Sequence, residues 1–324
     1  MVHETVAVVI PVFNGAAVIE RAIRSVLDQT VPIEEIIVVD DGSTDDTVAV
    51  VERLAKEHAS ISLVRQPQNG GVSKARNAGN ARATADWVAI LDGDDIWRPE
   101  RTEQMLALAA RYNANFVADN LVLHDFDAGV DFRVMMAPKW DVIRVDQEAY
   151  WRHCRVGGPQ FSILKPMIRR DFMASSGLKY DEDIGNGQDL IFQGEALALG
   201  ASAIVTSRAW YVYTARRGAI SGKMNKESRT NMNFDGIANR IEALVARRDG
   251  LIPPPAKKQA MICRDTMRAM HRINLYRASQ KYDRPAAILN LLSDPAALRL
   301  FLKKRYREWR VRQPDYAIRT EAAS

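Results

Sequence analysis

Short apolar runs alternate with segments of helical periodicity near the start of this 324-residue chain. Val6–Ile10, Ile36–Val39 and Trp87–Leu91 are apolar throughout, which is typical of strands buried on both faces of a parallel sheet. Helical periodicity separates these strands, from Ala16 to Gln29 and again from Val48 to Ala55. Alternating strands and helices with short loops between them predict a doubly wound α/β fold.

The later part of the chain carries a different pattern. A helix is predicted at Gln188–Leu199, followed by closing strands at Ala203–Val205 and Trp210–Tyr213. From about Lys226 the sequence becomes helix-forming and rich in arginine. We therefore predict an α/β domain at residues 1–225 and a helical C-terminal region at residues 226–324, a candidate for membrane or subunit association.

Charge, cysteine content and hydrophobicity indicate the cellular setting of this chain. The formal charge of +5 suits an anionic partner but does not define a fold. The two cysteines, Cys154 and Cys263, are far apart and not in metal-binding spacing, so a reducing cytoplasm is the expected setting. We expect no signal peptide, and no apolar stretch approaches the roughly 20 residues that span a bilayer. The sequence predicts a soluble or peripheral protein.

Two adjacent acids follow the second strand in the stretch Asp40-Asp41-Gly42-Ser43-Thr44. Ligands of doubly wound sheets bind outside the carboxyl ends of the strands, where a carboxylate can accept the N3–H of a uracil-type base. The alternative is a helix N-cap, with Ser43 or Thr44 capping and the acids favoured by the helix dipole. Capping needs only one acid, so the pair favours a binding role.

Three carboxylates occur within four residues in Asp92-Gly93-Asp94-Asp95, directly after the predicted strand Trp87–Leu91. They repel one another unless a cation lies among them. Hard oxygen ligands suit Mg²⁺ or Mn²⁺, which would bridge two phosphates of a nucleotide and neutralise charge on a leaving group. The alternative is a solvated acidic turn, because Asp-Gly is a common turn pair.

Two further stretches carry candidate site residues. Asn69–Gly79 places two glycines, Lys74 and Arg76 at a helix start, where unpaired N–H groups can hold phosphate; a plain loop-to-helix transition remains the alternative. Asp189 opens a helix after Gly187 and could take a proton from a hydroxyl group as a general base. Spacing alone does not distinguish Asp189 from the other acids.

Taken together and in this order, the four stretches resemble the family 2 glycosyltransferases of GT-A fold. Val8–Asn14 is similar to the opening strand of that family, and Val38–Asp45 to its second. Asn69–Gly79 and Leu91–Pro99 match the next two elements. The resemblance covers about the first hundred residues closely and extends more loosely to Thr214.

The resemblance implies roles for particular residues. Asp189 matches the catalytic base of the family's Glu-Asp element, although Gln188 replaces the glutamate here. Asp94, together with Asp92, matches the Asp-x-Asp element that holds Mn²⁺ or Mg²⁺. The resemblance implies that the following residues bind the nucleotide-sugar: Pro11, Phe13, Asp41, Arg76, Asp92, Asp94, Asp95 and Arg217.

The function implied by the resemblance is an inverting transfer of one sugar, with glucose from a UDP-sugar expected. Guanine and thymine donors also occur in the family. The Gln-x-x-Arg-Trp element of processive synthases is missing, and the chain resembles succinoglycan-type enzymes of bacterial exopolysaccharide synthesis. The acceptor implied is a glycan or a polyprenyl-diphosphate-linked oligosaccharide. The alternatives are a non-catalytic nucleotide-sugar-binding protein and a nucleotidyltransferase.

A basic amphipathic helix is predicted near the C-terminus. Leu298, Leu302, Tyr306 and Trp309 share one face, and most of the neighbouring Lys and Arg residues lie elsewhere. Such a helix can lie on the anionic inner face of a cell membrane, or it can pack on the catalytic domain with solvated arginines. No motif for nucleic-acid binding accompanies it.

Overall fold

The computed structural model describes residues 4–136, 140–154, 161–215, 233–279, 295, 297–299 and 301–302. The strands are β1 (Val6–Val12), β2 (Glu35–Asp40), β3 (Ile61–Arg65), β4 (Trp87–Ile90), β5 (Ile96–Trp97), β6 (Phe116–Asp125), β7 (Val130–Val134), β8 (Val142–Val145), β9 (Met167–Arg169) and β10 (Ala203–Ala215). The helices are α1 (Ile19–Leu27), α2 (Thr47–Glu57), α3 (Val72–Arg82), α4 (Arg101–Tyr112), α5 (Gln147–His153), α6 (Arg170–Ser176), α7 (Gln188–Ala198), α8 (Phe234–Arg247) and α9 (Pro254–Ser279).

The described strands form one mixed sheet. Its order is β3-β2-β1-β4-β9-β6-β10-β5, with β7 paired to β6 and β8 paired to β10. Strands β1 to β4 run parallel, whereas β9 is antiparallel to both of its neighbours. All seven residues of β1 are buried, which explains its uninterrupted apolar sequence. The predicted doubly wound α/β fold is confirmed.

The two predicted closing strands are one long strand. β10 pairs with β6 in parallel along its length, but the register shifts between Val205 and Tyr211. Polar residues interrupt the apolar pattern there, at Thr206 to Arg208, and the strand continues through the irregularity. This continuation carries Tyr211 and Thr214 to the edge of the sheet where the acidic loop after β4 lies.

Helix α3 packs closely onto β1 because it presents a glycine. A Cβ atom on Gly79 would come within 2.3 Å of Val9 Cγ1, a distance at which the helix or the strand would have to move. Ala75, one turn earlier, is also fully buried. These small residues bring the start of α3, and with it Arg76, close to the carboxyl ends of the central strands.

The C-terminal helices share the core of the sheet. Ile237, Ile241 and Leu244 of α8 belong to the same buried cluster as the central strands. A Cβ atom on Gly187 would come within 2.8 Å of the side chain of Ile237, so α8 lies against the start of α7. The predicted boundary at 225/226 lies outside the described residues, and the division into two units stays a prediction.

The predicted membrane-binding helix is described only in part. Leu298 and Leu302 are described, whereas Tyr306 and Trp309 lie outside the described residues. Leu298 packs with α9 residues, and Leu302 is 56% exposed. Within the described ranges, no helix is both long and apolar enough to span a bilayer.

Candidate active site

The loops that follow β1, β2 and β4 meet at one edge of the sheet. The backbone N–H of Asp41 donates to the carbonyl oxygen of Val12 at 2.8 Å, which joins the ends of β2 and β1. A Cβ atom on Gly93 would lie 3.1 Å from the carbonyl oxygen of Pro11, so the acidic loop after β4 lies directly against β1. The structure therefore brings Pro11, Asp41 and the loop Asp92–Asp95 together, as the sequence predicts.

Ser43 and Thr44 join two loops. The N–H of Asn14 donates to Ser43 Oγ at 2.9 Å, and the N–H of Thr44 donates to Asn14 Oδ1 at 2.8 Å. The N-cap of α2 is Asp46, so the alternative in which Ser43 or Thr44 caps this helix does not hold. These bonds fix the loop after β1 against the loop that carries Asp41.

Asp41 is almost fully buried and binds the glycines before α3. Its Oδ1 accepts from the N–H of Gly70 and its Oδ2 from the N–H of Gly71, both at 2.8 Å. Gly71 has a φ of 88°, a conformation that favours glycine. A carboxylate oxygen carries a second lone pair, so these bonds leave Asp41 able to accept an N–H from a base. That contact stays a prediction.

Four charged side chains form a cluster that we call the charged quartet: Arg76 of α3, Asp92 after β4, Lys165 before β9 and Asp189 of α7. Arg76 Nη1 donates to Asp189 Oδ1 at 2.7 Å, and Arg76 Nη2 donates to Asp92 Oδ1 at 2.7 Å. Lys165 Nζ lies 2.6 Å from Asp189 Oδ2 and 3.0 Å from Asp92 Oδ2. Two cations thus link the acid after β4 to the predicted base.

The two cations of the quartet are buried, whereas the carboxylates of Asp92 and Asp189 are partly exposed. Arg76 is 1% exposed and Lys165 is 6% exposed. Burial alone would raise the pKa of Asp92, but the charges of Lys165 and Arg76 outweigh burial and hold that pKa well below its ordinary value. Burial alone would lower the pKa of Lys165, but Asp189 and Asp92 raise it, so the amine stays protonated. The cluster is therefore two carboxylates balanced by two fixed cations.

Two stacked aromatic rings lie against the guanidinium of Arg76. Its guanidinium carbon lies 5.0 Å from the centre of the Tyr180 ring, which stacks on Phe192 with ring centres 3.9 Å apart. A cation over an aromatic face gains electrostatic attraction to the ring. In the described structure Arg76 binds two acids, and its predicted contact with a nucleotide-sugar stays a prediction.

Asp95 anchors the acidic loop to β10. Its Oδ2 accepts from the Tyr211 hydroxyl at 2.8 Å, and its Oδ1 accepts from the N–H of Thr214 at 2.7 Å. The same hydroxyl accepts from the N–H of Asp92 at 3.1 Å. Burial, and then the charges of Asp94 and Asp92, raise the pKa of Asp95 well above its ordinary value. Its contacts place Asp95 beside the site, and a direct contact with the donor stays a prediction.

Asp94, like Asp92, is half-buried in this loop. Its carbonyl oxygen accepts from Arg21 Nη2 at 3.0 Å, and Arg21 also donates to Thr214 Oγ1 at 2.8 Å. No group of three or more His, Cys, Asp or Glu residues that could hold a metal occurs in the described part of the chain. Mg²⁺ and Mn²⁺ are commonly held by one or two carboxylates with substrate phosphates, and Asp94 with Asp92 fits that donor set.

A buried ion pair lies behind the quartet. Arg101 Nη2 and Nε donate to Asp119 Oδ1 at 2.8 and 3.1 Å, and Arg101 Nη2 also donates to the carbonyl oxygen of Lys165 at 2.7 Å. Asp119 Oδ2 accepts from the N–H groups of Trp210 and Tyr211 at 3.1 and 2.8 Å. The pair therefore holds both Lys165 and the strand that anchors Asp95.

Sequence reasoning missed Lys165, Arg101 and Asp119. Two of these charges lie within apolar sequence, which could have indicated a buried role. Asp119 interrupts the run from Phe116 to Leu121, and Lys165 lies between Leu164 and Pro166. A buried charge needs a partner, so such a residue points to an ion pair even without local spacing. Of the remaining predicted residues, Phe13 is 48% exposed and Arg217 lies outside the described residues.

A mixed α/β sheet with acidic loops at the carboxyl ends of its parallel strands agrees with the GT-A fold of glycosyltransferases. The model of the family described as Glycosyl transferase family 2 matches residues 7–166. The succinoglycan biosynthesis protein ExoO of Rhizobium meliloti (strain 1021) is 31% identical over 301 residues, covering 91% of this chain and 83% of that protein. The chain belongs to glycosyl transferase family 2.

One further relative and two solved structures are also similar to this chain. The succinoglycan biosynthesis protein ExoU of the same organism is 30% identical, covering 67% of this chain and 64% of that protein. TarS 1-349 of S. aureus, solved with UDP-GlcNAc, has a TM-score of 0.57 at 18% identity, covering 86% and 93% of the two chains. PcManGT of Pyrobaculum calidifontis, a mannosyltransferase solved with GDP-Man and Mn²⁺, has a TM-score of 0.55 at 22% identity, covering 95% and 84%. The two solved structures show the fold.

Proposed function

We propose that this chain transfers one glucose residue from UDP-glucose, with inversion, to a glycan or to a polyprenyl-diphosphate-linked oligosaccharide. The product belongs to a bacterial exopolysaccharide or another cell-surface polysaccharide. The observation that carries the proposal is the charged quartet. In it, Arg76 and Lys165 each form ion pairs with both Asp189 and Asp92 of the acidic loop. The names of the relatives ExoO and ExoU support the polysaccharide context.

In the proposed reaction Asp189 is the base. It takes the proton of an acceptor hydroxyl while that oxygen bonds to the anomeric carbon of the donor, and the bond from that carbon to the UDP oxygen breaks on the opposite side. A single displacement of this kind inverts the anomeric configuration. Each oxygen of Asp189 contacts one cation and retains a second lone pair for the hydroxyl.

The donor is proposed to bind across the loops that meet at the sheet edge. Asp41 is proposed to accept the N3–H of uracil, beside Pro11, and Arg217 to face the diphosphate. Asp94, with Asp92, would hold Mn²⁺ or Mg²⁺ together with the donor phosphates. When bound, the ion would neutralise negative charge that develops on UDP as it leaves. We place the reaction in the cytoplasm, at the inner face of the membrane if the acceptor is lipid-linked.

The experiment that tests this function measures UDP release from UDP-glucose, UDP-galactose and GDP-mannose, with Mn²⁺ and with a chelator. We expect Mn²⁺-dependent release of UDP from UDP-glucose, slowly where water replaces the acceptor, and no release of GDP from GDP-mannose. Release of GDP alone would contradict the proposed donor. Binding of UDP-sugars without any release, in the presence of membrane extract as a source of acceptor, would favour the non-catalytic alternative.

Replacing Asp94 by alanine is expected to remove the effect of Mn²⁺ on UDP binding. Coupled ligands typically change each other's affinity by about 5- to 150-fold, and Asp94 is proposed to hold the ion next to the diphosphate. Calorimetry of UDP binding with and without Mn²⁺ measures this coupling. Glu52→Ala, which removes an exposed acid of α2, is the control. An undiminished Mn²⁺ effect in Asp94→Ala would rule out Asp94 as the metal ligand.

A further inference from the structure

Lys165 contacts the proposed base directly, yet no role has been assigned to it. We propose that Lys165 is a positioning residue for sugar transfer: it fixes the carboxylate of Asp189 against the acceptor hydroxyl. This inference rests on the proposed function, in which Asp189 is the base. Lys165 itself acts through Asp189 and transfers no proton.

Two cations contact the two oxygens of the Asp189 carboxylate. Arg76 contacts Oδ1 at 2.7 Å, and Lys165 contacts Oδ2 at 2.6 Å. A carboxylate held at one oxygen can turn about its Cβ–Cγ bond, whereas contacts at both oxygens fix the plane of the group. The lone pairs left for a hydroxyl then point in defined directions, which general-base catalysis requires.

The backbone around Lys165 is held by two buried side chains. The carbonyl oxygen of Lys165 accepts from buried Arg101 at 2.7 Å, and the carbonyl oxygen of Leu164 accepts from Gln193 Nε2 at 2.9 Å. Gln193 follows Asp189 by one turn of α7, so both side chains lie on the same face of that helix. One helix therefore carries the base and also binds the segment that presents Lys165.

The contacts of Lys165 distinguish this role from that of a base and from that of a donor-binding residue. Its Nζ donates to Asp189 Oδ2 at 2.6 Å, so the amine is a hydrogen-bond donor to the proposed base. The amine contacts two carboxylates and the residue is 6% exposed, so Lys165 is enclosed within the charged quartet. A residue that bound the donor would change donor affinity when replaced, whereas a residue that orients the base would change the rate of transfer.

The test compares Lys165→Met, which keeps the length of the side chain without its charge, with Lys165→Arg. We expect Lys165→Met to lower kcat by about 100-fold, the loss that an ångström-scale misplacement of a catalytic group causes. UDP affinity, measured by calorimetry with a chelator present, is expected to stay unchanged because Arg76 still holds Asp92, and Lys165→Arg is expected to regain part of kcat. Lys56→Met makes the same chemical change at an exposed site of α2 and is the control. Lys165→Gln is measured as a second variant, so that the role of Lys165 can still be tested if Lys165→Met does not fold.

A double variant tests whether Lys165 acts through Asp189. When Asp189→Asn has already removed the base, adding Lys165→Met is expected to cause no further loss. Wild-type kcat in Lys165→Met, a parallel loss of UDP affinity, or additive losses in the double variant would each overturn the role of Lys165 alone. Full activity of Asp189→Asn would instead overturn the base assignment in the proposed function.

Discussion

Replacing Asp189 by asparagine is expected to lower kcat for sugar transfer by about 100- to 10,000-fold, the usual contribution of a general base. Asparagine has nearly the same shape but does not take a proton from the acceptor hydroxyl at neutral pH. Arg76 and Lys165 keep their contacts with Asp92, so the site is expected to hold its form. UDP affinity is therefore expected to survive, and UDP release with calorimetry of UDP binding measures both quantities.

A matched control for this variant lies nearby. Asp183→Asn makes the same change in the loop before α7, at a side chain that is 82% exposed and pairs with Arg240. We expect its kcat and UDP affinity to equal those of the unaltered chain, because an exposed ion pair contributes little. Loss of activity in both variants would point to general damage to this loop, and full activity in Asp189→Asn would contradict the assignment of the base.

The sequence predicted the part of the fold that depends on local pattern. β1 and β4 are buried on both faces, so each is an uninterrupted apolar run that is visible without knowledge of its neighbours. Because β2, β1 and β4 are adjacent and parallel, the acidic loops that follow them share one edge of the sheet. For this reason the sequence alone predicts that Asp41 and Asp92 lie close together.

The contacts between distant residues could not be predicted in this way. Arg76 and Asp189 lie 113 positions apart, and Lys165 and Asp189 lie 24 positions apart, so no periodicity links them. The sequence also does not show which way a side chain of the acidic loop points. Asp95 belongs to this loop, but its carboxylate binds Tyr211 and Thr214. A sequence pattern indicates which acids reach the edge of the sheet, whereas packing decides which of them face a ligand.

Replacing Arg101 by methionine is expected to lower the free energy of unfolding by about 3–5 kcal/mol, because it leaves a buried charge without its partner. Asp119 is fully buried, and its Oδ1 accepts only from Arg101 among the hydrogen bonds described for that oxygen. The variant also loses the contact of the guanidinium with the Trp97 ring, whose centre lies 4.2 Å away. Urea unfolding of both proteins measures the difference.

Two further variants distinguish the destabilisation caused by the unpaired Asp119 charge from the destabilisation caused by lost packing. Arg152→Met removes an exposed arginine that pairs with Glu148 on α5, and it is expected to cost about 1 kcal/mol or less. Adding Asp119→Asn to Arg101→Met removes the charge and keeps an oxygen that can accept the N–H of Tyr211. The double variant should therefore be more stable than Arg101→Met alone. If Arg101→Met lowered the free energy of unfolding by no more than Arg152→Met does, the buried ion pair would not stabilise the positions of Lys165 and β10 as its contacts indicate.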